Sequence, residues 1–280
     1  MFLNIRFPNL GISLPDFGTG ITIGGFTIKY YGMLIAVGFL LALLIAQKEA
    51  KRTEQNPEDY LDYLLWMILP AIIGARLYYV VFNWDYYSQN PGEILAIRNG
   101  GLAIYGGIIG SAIALWIVIK RKKQIFWQVA DTIAMGLLTG QIIGRFGNFF
   151  NREAFGSYTD SFLAMQIPVS EASYTTPELL QHAVEIGGVS YIQVHPTFLY
   201  EALWNVMVLL VIFFYRKHKK FHGELFAIYL VGYGIGRAWI EGLRTDQLTI
   251  GDTGVAVSQV LSVVLAVVAI GTIIYNRKIQ

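Results

Sequence analysis

The stretch FWQVADTIAMGLLTGQIIGRFG, residues 126–147, decides the fold. It has the ~18 residues needed to cross hydrocarbon, but Asp131, Thr132, Thr139, Gln141 and Arg145 interrupt it. An arginine at the bilayer centre costs roughly 2.5–3.5 kcal/mol on insertion scales, so one retained near the end of an apolar segment usually has a function. If this stretch is a span, the chain has seven, because apolar runs at 30–47, 61–82, 102–119, 196–215, 225–243 and 255–275 supply six more.

Composition agrees with a membrane protein. Of 280 residues 55% are hydrophobic and 14% charged, and the mean hydropathy is +0.50. With seven alternating spans, Lys48, Lys51 and Arg52, then Lys120, Arg121, Lys122 and Lys123, then Arg216, Lys217, Lys219 and Lys220, then Arg277 and Lys278 fall on one side. The positive-inside rule makes that side cytoplasmic. The reading is therefore an all-α polytopic membrane protein of seven transmembrane helices, with its N-terminus outside and its C-terminus cytoplasmic. A small extracytoplasmic arm, 151–195, joins helices four and five, with strand-like pieces at 162–169 and 189–194. The whole of 1–280 reads as a single integral membrane domain.

The first 25 residues lack a basic start, a short apolar core and a small-residue cleavage site, so no removable signal peptide is expected and the mature chain starts near Met1. The absence of cysteine excludes a disulfide, a thiolate nucleophile and a Cys-based metal site within the chain. Four histidines without close pairing argue against zinc. The basic clusters serve as topology signals and anionic-lipid contacts, not as a nucleic-acid site.

Topology turns position into depth. Tyr31 opens span one on the outer side, Arg76 precedes the outer end of span two, and Tyr105 lies just inside span three. Arg145 and Asn148 close span four, His195, Tyr200 and Glu201 open span five, and Arg237 and Glu241 occupy the outer half of span six. Arg145 and Asn148 are three apart, and Tyr233, Arg237 and Glu241 stand at i, i+4 and i+8, so each set shares a helix face. A purely structural role leaves three buried arginines on different helices unexplained. An anion transporter or channel would also hold arginines, but it predicts midplane polar groups and paired repeats, whereas the inner halves here are mostly apolar.

Four motifs carry a resemblance. GRFGNFFNREAFG at 144–156 resembles the signature of bacterial prolipoprotein diacylglyceryl transferases, and GGLAIYGG at 100–107, HPTFLYE at 195–201 and YGIGRAWIEGLRTD at 233–246 resemble further motifs of that family in the same order. The likeness covers essentially the whole chain. It implies transfer of the sn-1,2-diacylglyceryl group of phosphatidylglycerol to the lipobox cysteine of a prolipoprotein signal peptide. A thioether forms, glycerol 1-phosphate leaves, and no cofactor is needed. It implies a multi-pass protein of the bacterial cytoplasmic membrane, working in the lipid bilayer with its site toward the outer leaflet.

The reaction breaks a bond to a phosphate oxygen, so fixed cations must meet the departing charge, and by family analogy these are Arg145 and Arg237. A guanidinium fork suits phosphate, and a dry site strengthens it. The resemblance gives Asn148 to the glycerol headgroup, Glu153 and Glu241 to fixing the arginines or hydroxyls, and Gly156 to closing the loop. Tyr233, Arg244, Gly106 and Gly107 join them in substrate binding. The thiol, with a pKa near ~8.5, also needs a base or a cationic field. Many family members carry histidine before the paired glycines where this chain has Tyr105. The candidates for the base are Tyr105, Tyr31 and His195. Another phospholipid-modifying enzyme is separated from this reading only by the ordered motifs.

Overall fold

The computed structural model describes residues 4–97 and 100–279; Met1, the expected start of the mature chain, lies outside them. Among the described residues seven helices have 18 residues or more. They are α1 (Tyr30–Arg52), α2 (Glu58–Phe82), α4 (Ile104–Arg121), α5 (Phe126–Asn151), α7 (Thr197–Tyr215), α8 (Glu224–Glu241) and α9 (Val257–Ile279). Short helices α3 (Trp84–Tyr87) and α6 (Pro177–Gln181) lie in the links. Five of the long helices, α1, α2, α4, α7 and α9, are long and apolar enough to cross a membrane. The chain is thus a mostly helical, polytopic membrane protein. Helix α8 fails that test because Glu224, Arg237 and Glu241 all lie in its 18 residues.

Besides the helices, the described residues hold seven short strands, more than the two pieces expected in the arm of an otherwise all-α protein. β1 (Ile5–Phe7), β2 (Ile12–Leu14), β5 (Met165–Pro168), β6 (Val184–Ile186) and β7 (Val189–Val194) form a five-stranded sheet ordered β2-β1-β5-β7-β6, while β3 (Gly20–Ile23) and β4 (Phe26–Lys29) form a separate hairpin. Gly24 and Gly25, both at positive φ, make the tight turn of that hairpin. The pieces expected at 162–169 and 189–194 contain β5 and β7. β1 pairs with β5 through Arg6 and Gln166, so the N-terminal segment belongs to the same sheet as 151–195. Three-residue strands are too short to show an alternating pattern, and only packing against Ile167, Ile192 and Val194 gives Ile5 and Phe7 their buried places.

The chain divides into two compact units, one of Met1–Ala42 with Ile133–Gln280 and the other of Leu43–Thr132. The second unit is built on α2 against α4. A side chain at Gly74, Gly106 or Gly110 would collide with backbone of the facing helix, so these glycines permit the close crossing. Arg76, 7% exposed, is held by four backbone carbonyls: Nη2 donates to Glu93 O at 2.7 Å, Nε to Ile94 O at 2.8 Å, and Nη1 to Gly100 O and Gly101 O at 2.9 and 2.8 Å. Near the link to α5, Lys122 pairs with Asp59 and, at 2.6 Å, with Asp62.

In the first unit, α7, α8 and α9 pack in sequence. Gly236 receives the Trp204 indole, whose Nε1 donates to Gly232 O at 2.7 Å, and Gly234 faces Ser262 and Ala266. Gly38 approaches Gly140, bringing α1 against α5. The helix ends are electrostatically sensible: Lys51 and Arg52, Lys120 and Arg121, and Arg277 and Lys278 occupy last turns, where the helix dipole is negative.

Candidate functional site

The end of α5, the start of α7 and the end of α8 meet in an alternating chain of charges. Arg145 Nη2 lies 2.7 Å from Glu201 Oε2, and Arg237 Nη1 lies 3.2 Å from Glu201 Oε1. Arg237 Nη2 continues to Glu241 Oε2 at 2.6 Å, one helical turn on. Arg244 closes the series, 3.7 Å from Glu241 and 2.8 Å from Asp246. Ser258 of α9 also donates to Glu241, at 2.7 Å.

The charges are sorted by depth. Side-chain exposure is 18% for Arg145 and 15% for Arg237, against 5% for Glu201 and 6% for Glu241. The carboxylates sit behind the guanidiniums, so an anion arriving from the accessible side meets cations already aligned. Glu201 shares the buried face of α7 with Phe198, Ala202, Asn205, Val208 and Ile212, which fixes its direction.

A second set of contacts builds the rim. Asn148 Nδ2 donates to Glu153 Oε1 at 2.8 Å, Asn151 Nδ2 to the same oxygen at 3.3 Å, and Arg145 Nη1 reaches Asn148 Oδ1 at 3.5 Å. Glu153 therefore orients two amides, whereas the sequence reading paired it with an arginine or a hydroxyl. Gly156 forms an isolated bridge with Arg244, and its N–H donates to His195 O at 3.0 Å. A Cβ on Gly156 would stand 2.7 Å from His195 Cβ and 2.8 Å from Leu243 O, so nothing larger fits. Tyr174 ties the same loops together, donating to Phe155 O at 2.7 Å and accepting from Thr245 at 2.9 Å.

Titration follows this geometry. Burial would lower the Arg244 pKa, but the hydrogen bonds to Asp246 and the nearby carboxylates of Glu241 and Glu201 outweigh it and raise it. Burial pushes the Tyr174 phenol up to about 12, so it stays protonated and donates. Burial lowers the His195 pKa, favouring a neutral imidazole, with Nδ1 3.2 Å from the Tyr200 hydroxyl.

Of the residues singled out from the sequence, Arg145, Asn148, Glu153, Gly156, Arg237, Glu241 and Arg244 are joined by these contacts. Tyr31 lies with its ring on Gly147, where a Cβ would come within 2.5 Å of it, and Tyr233 stacks on Tyr229 at 5.8 Å. Tyr105, Gly106 and Gly107 belong to the other unit, where Tyr105 faces Tyr78 at 6.5 Å and Gly106 packs on Gly74. Sequence reasoning did not choose Glu201, Tyr174 or Ser258 as site residues. Glu201 was signalled by its place in the outer polar layer, at the start of span five, and in the HPTFLYE motif.

Comparison with known proteins places this geometry in context. The family described as prolipoprotein diacylglyceryl transferase matches residues 19–275. The chain is 45% identical over 258 residues to a phosphatidylglycerol–prolipoprotein diacylglyceryl transferase of Listeria monocytogenes serotype 4b, covering 92% of this chain and 88% of the relative. Proteins of the same name from Bacillus mycoides and Nostoc sp. are 42% identical over 259 residues (92% and 91% covered) and 44% identical over 242 residues (84% and 81% covered).

Proposed function

The chain belongs to the prolipoprotein diacylglyceryl transferase family, and from that premise we propose that it moves the sn-1,2-diacylglyceryl group of phosphatidylglycerol onto the lipobox cysteine of a prolipoprotein. The single observation that carries the proposed chemistry is the convergence of Arg145 and Arg237 on one carboxylate, Glu201. Two guanidiniums that share an anionic partner are spaced to share a phosphate.

The cysteine thiolate attacks the glycerol carbon that bears the phosphate. The C–S bond forms as the C–O bond breaks, and the electron pair leaves with the oxygen of glycerol 1-phosphate. Arg145 and Arg237 meet that growing charge with preorganised donors in a water-poor site. Asn148, oriented by Glu153, receives the glycerol headgroup, while Gly156, Tyr233, Glu241 and Arg244 complete the binding residues of this unit; Gly106 and Gly107, in the first turn of α4, are carried over from the family resemblance alone. The thiol proton goes to one of Tyr31, Tyr105 or His195; burial lowers the His195 pKa, which keeps its ring unprotonated at neutral pH and also makes it a weaker base.

In this reading α5 and α8 complete seven spans, and their polar residues are explained by the site they carry. The basic groups at the ends of α1, α4, α7 and α9 support a cytoplasmic C-terminus, an outward N-terminus and a site toward the outer leaflet of the bacterial cytoplasmic membrane. Segment 151–195 is then an extracytoplasmic arm that positions the signal peptide. Helices α1 and α5, each shared by the two units, support a single membrane domain.

The test is transfer by purified protein in detergent, with phosphatidylglycerol and a lipobox peptide, read as the thioether adduct by mass spectrometry. An adduct with release of glycerol 1-phosphate is expected. No adduct under conditions where the Listeria relative works would overturn the reading and favour an anion transporter or another lipid enzyme.

A further inference from the structure

One helical turn from Arg145, Glu201 and Arg237, toward the middle of each helix, stands an uncharged polar residue. Gln141 precedes Arg145 by four positions in α5, Asn205 follows Glu201 by four in α7, and Tyr233 precedes Arg237 by four in α8. Residues four apart share a face, about 6 Å along the axis. The charged layer therefore has a neutral polar layer beneath it. Beyond that layer α5 and α7 continue with buried Leu138 and Val208.

Two polar atoms in this layer lack partners. Asn205 is 2% exposed and its Nδ2 has no hydrogen bond. The Gln141 side chain meets the Tyr229 hydroxyl through Nε2 at 2.9 Å, leaving Oε1 buried and unpaired. Gln141 thus meets its neighbour as a donor and the atom it leaves over is an acceptor, so the unpaired donor of this layer is Asn205 Nδ2. Trp204, beside Asn205, already spends its N–H on Gly232 O. A buried amide donor without an acceptor is costly inside a membrane protein, where no bulk water relieves it.

Resting on the transferase reading above, we propose that Asn205 Nδ2 forms a subsite for an ester carbonyl of the diacylglyceryl group. In a glycerophospholipid the phosphate is followed, going inward, by the glycerol carbons and then by the two ester carbonyls. A phosphate at Arg145 and Arg237 sets those carbonyls at the depth of the next helical turn. Ester carbonyls accept and never donate, which matches a buried amide donor with no acceptor of its own. The acyl chains then continue along the apolar lower halves of the helices. The subsite makes the protein sensitive to the linkage of the chains as well as to the headgroup.

The test compares phosphatidylglycerol with its dialkyl-ether analogue, which has the same headgroup and chains but no carbonyls. Wild type is expected to transfer from the diester roughly fivefold faster, from the loss of one hydrogen bond. Asn205→Leu is expected to keep the ether-lipid rate within about threefold and to lose most of the preference. Asn205→Ala is read the same way if Asn205→Leu does not fold. Equal wild-type rates on the two lipids overturn the subsite, as does a preference that survives in the folded variants. Absence of wild-type transfer from either lipid overturns the transferase reading and the subsite with it.

Discussion

Arg145 and Glu201 lie far apart in the chain, on α5 and α7, yet their side chains meet at 2.7 Å with the carboxylate the more buried of the two. Because Glu201 also reaches Arg237 at 3.2 Å, it holds two like charges in register. Replacing it by Gln keeps the size and one hydrogen bond but removes the shared counter-charge. Transfer by Glu201→Gln is expected to fall at least about tenfold, as for loss of preorganised charge, while Glu201→Asp recovers part of it. Steady-state rates with phosphatidylglycerol, alongside thermal melting to verify folding, measure this. Unchanged rates in the Gln variant would remove Glu201 from the clamp.

Gly156→Ala places a methyl 2.7 Å from His195 Cβ and 2.8 Å from Leu243 O. Neither neighbour is the free end of a flexible side chain, so the loop must move, and overpacking of this kind costs about 1–3 kcal/mol. Activity is expected to drop sharply while far-UV circular dichroism still reports the full helix content. Retention of full activity would show that the Gly156–Arg244 bridge does not shape the site.

His195 gives a pH dependence with a definite sign. Burial depresses its pKa below the usual value near 6.5, so the folded protein binds fewer protons than the unfolded chain as pH falls through that range. The stability it contributes is present above about pH 6.5 and is lost as pH drops toward the folded value. Melting temperature and transfer rate are both expected to decline from pH 7 to pH 5, and His195→Gln is expected to flatten that slope. An unaltered slope in the variant would assign the decline to other groups.

Tyr174→Phe removes a hydroxyl that joins Phe155 O to Thr245. Leaving a buried carbonyl without its donor is expected to cost about 1–3 kcal/mol. The variant should also lose the alkaline titration of this phenol, whose pKa is pushed up to about 12. Chemical denaturation, compared with wild type, reads the first effect, and a midpoint unchanged by the substitution would contradict the role of Tyr174 as a tie between loops.

The long helices were legible because apolar runs report burial in lipid directly: 30–47 became α1, Tyr30–Arg52, and 255–275 became α9, Val257–Ile279. The Arg237–Glu241 pair was legible too, since i, i+4 spacing is a local property. Glu201 was not, because its partners come from two other helices and no spacing encodes that meeting. The strands β1 and β2 escaped for a related reason: at three residues each they take their structure from β5, which lies on the far side of five helices in the chain. The sequence places Arg76 only by depth, before the outer end of span two, and the fold brings the carbonyls of Glu93, Ile94, Gly100 and Gly101 around it.

The central claim is that Arg145 and Arg237 act as one phosphate clamp, and a double-mutant comparison tests it most directly. Diacylglyceryl transfer would be measured for Arg145→Gln, Arg237→Gln and the double variant, each verified as folded. Residues that act as a unit are non-additive, so each single variant is expected to lose roughly 100-fold or more, with the double variant no worse than the weaker single. Two small, additive losses, or one variant near wild-type activity, would contradict the shared clamp.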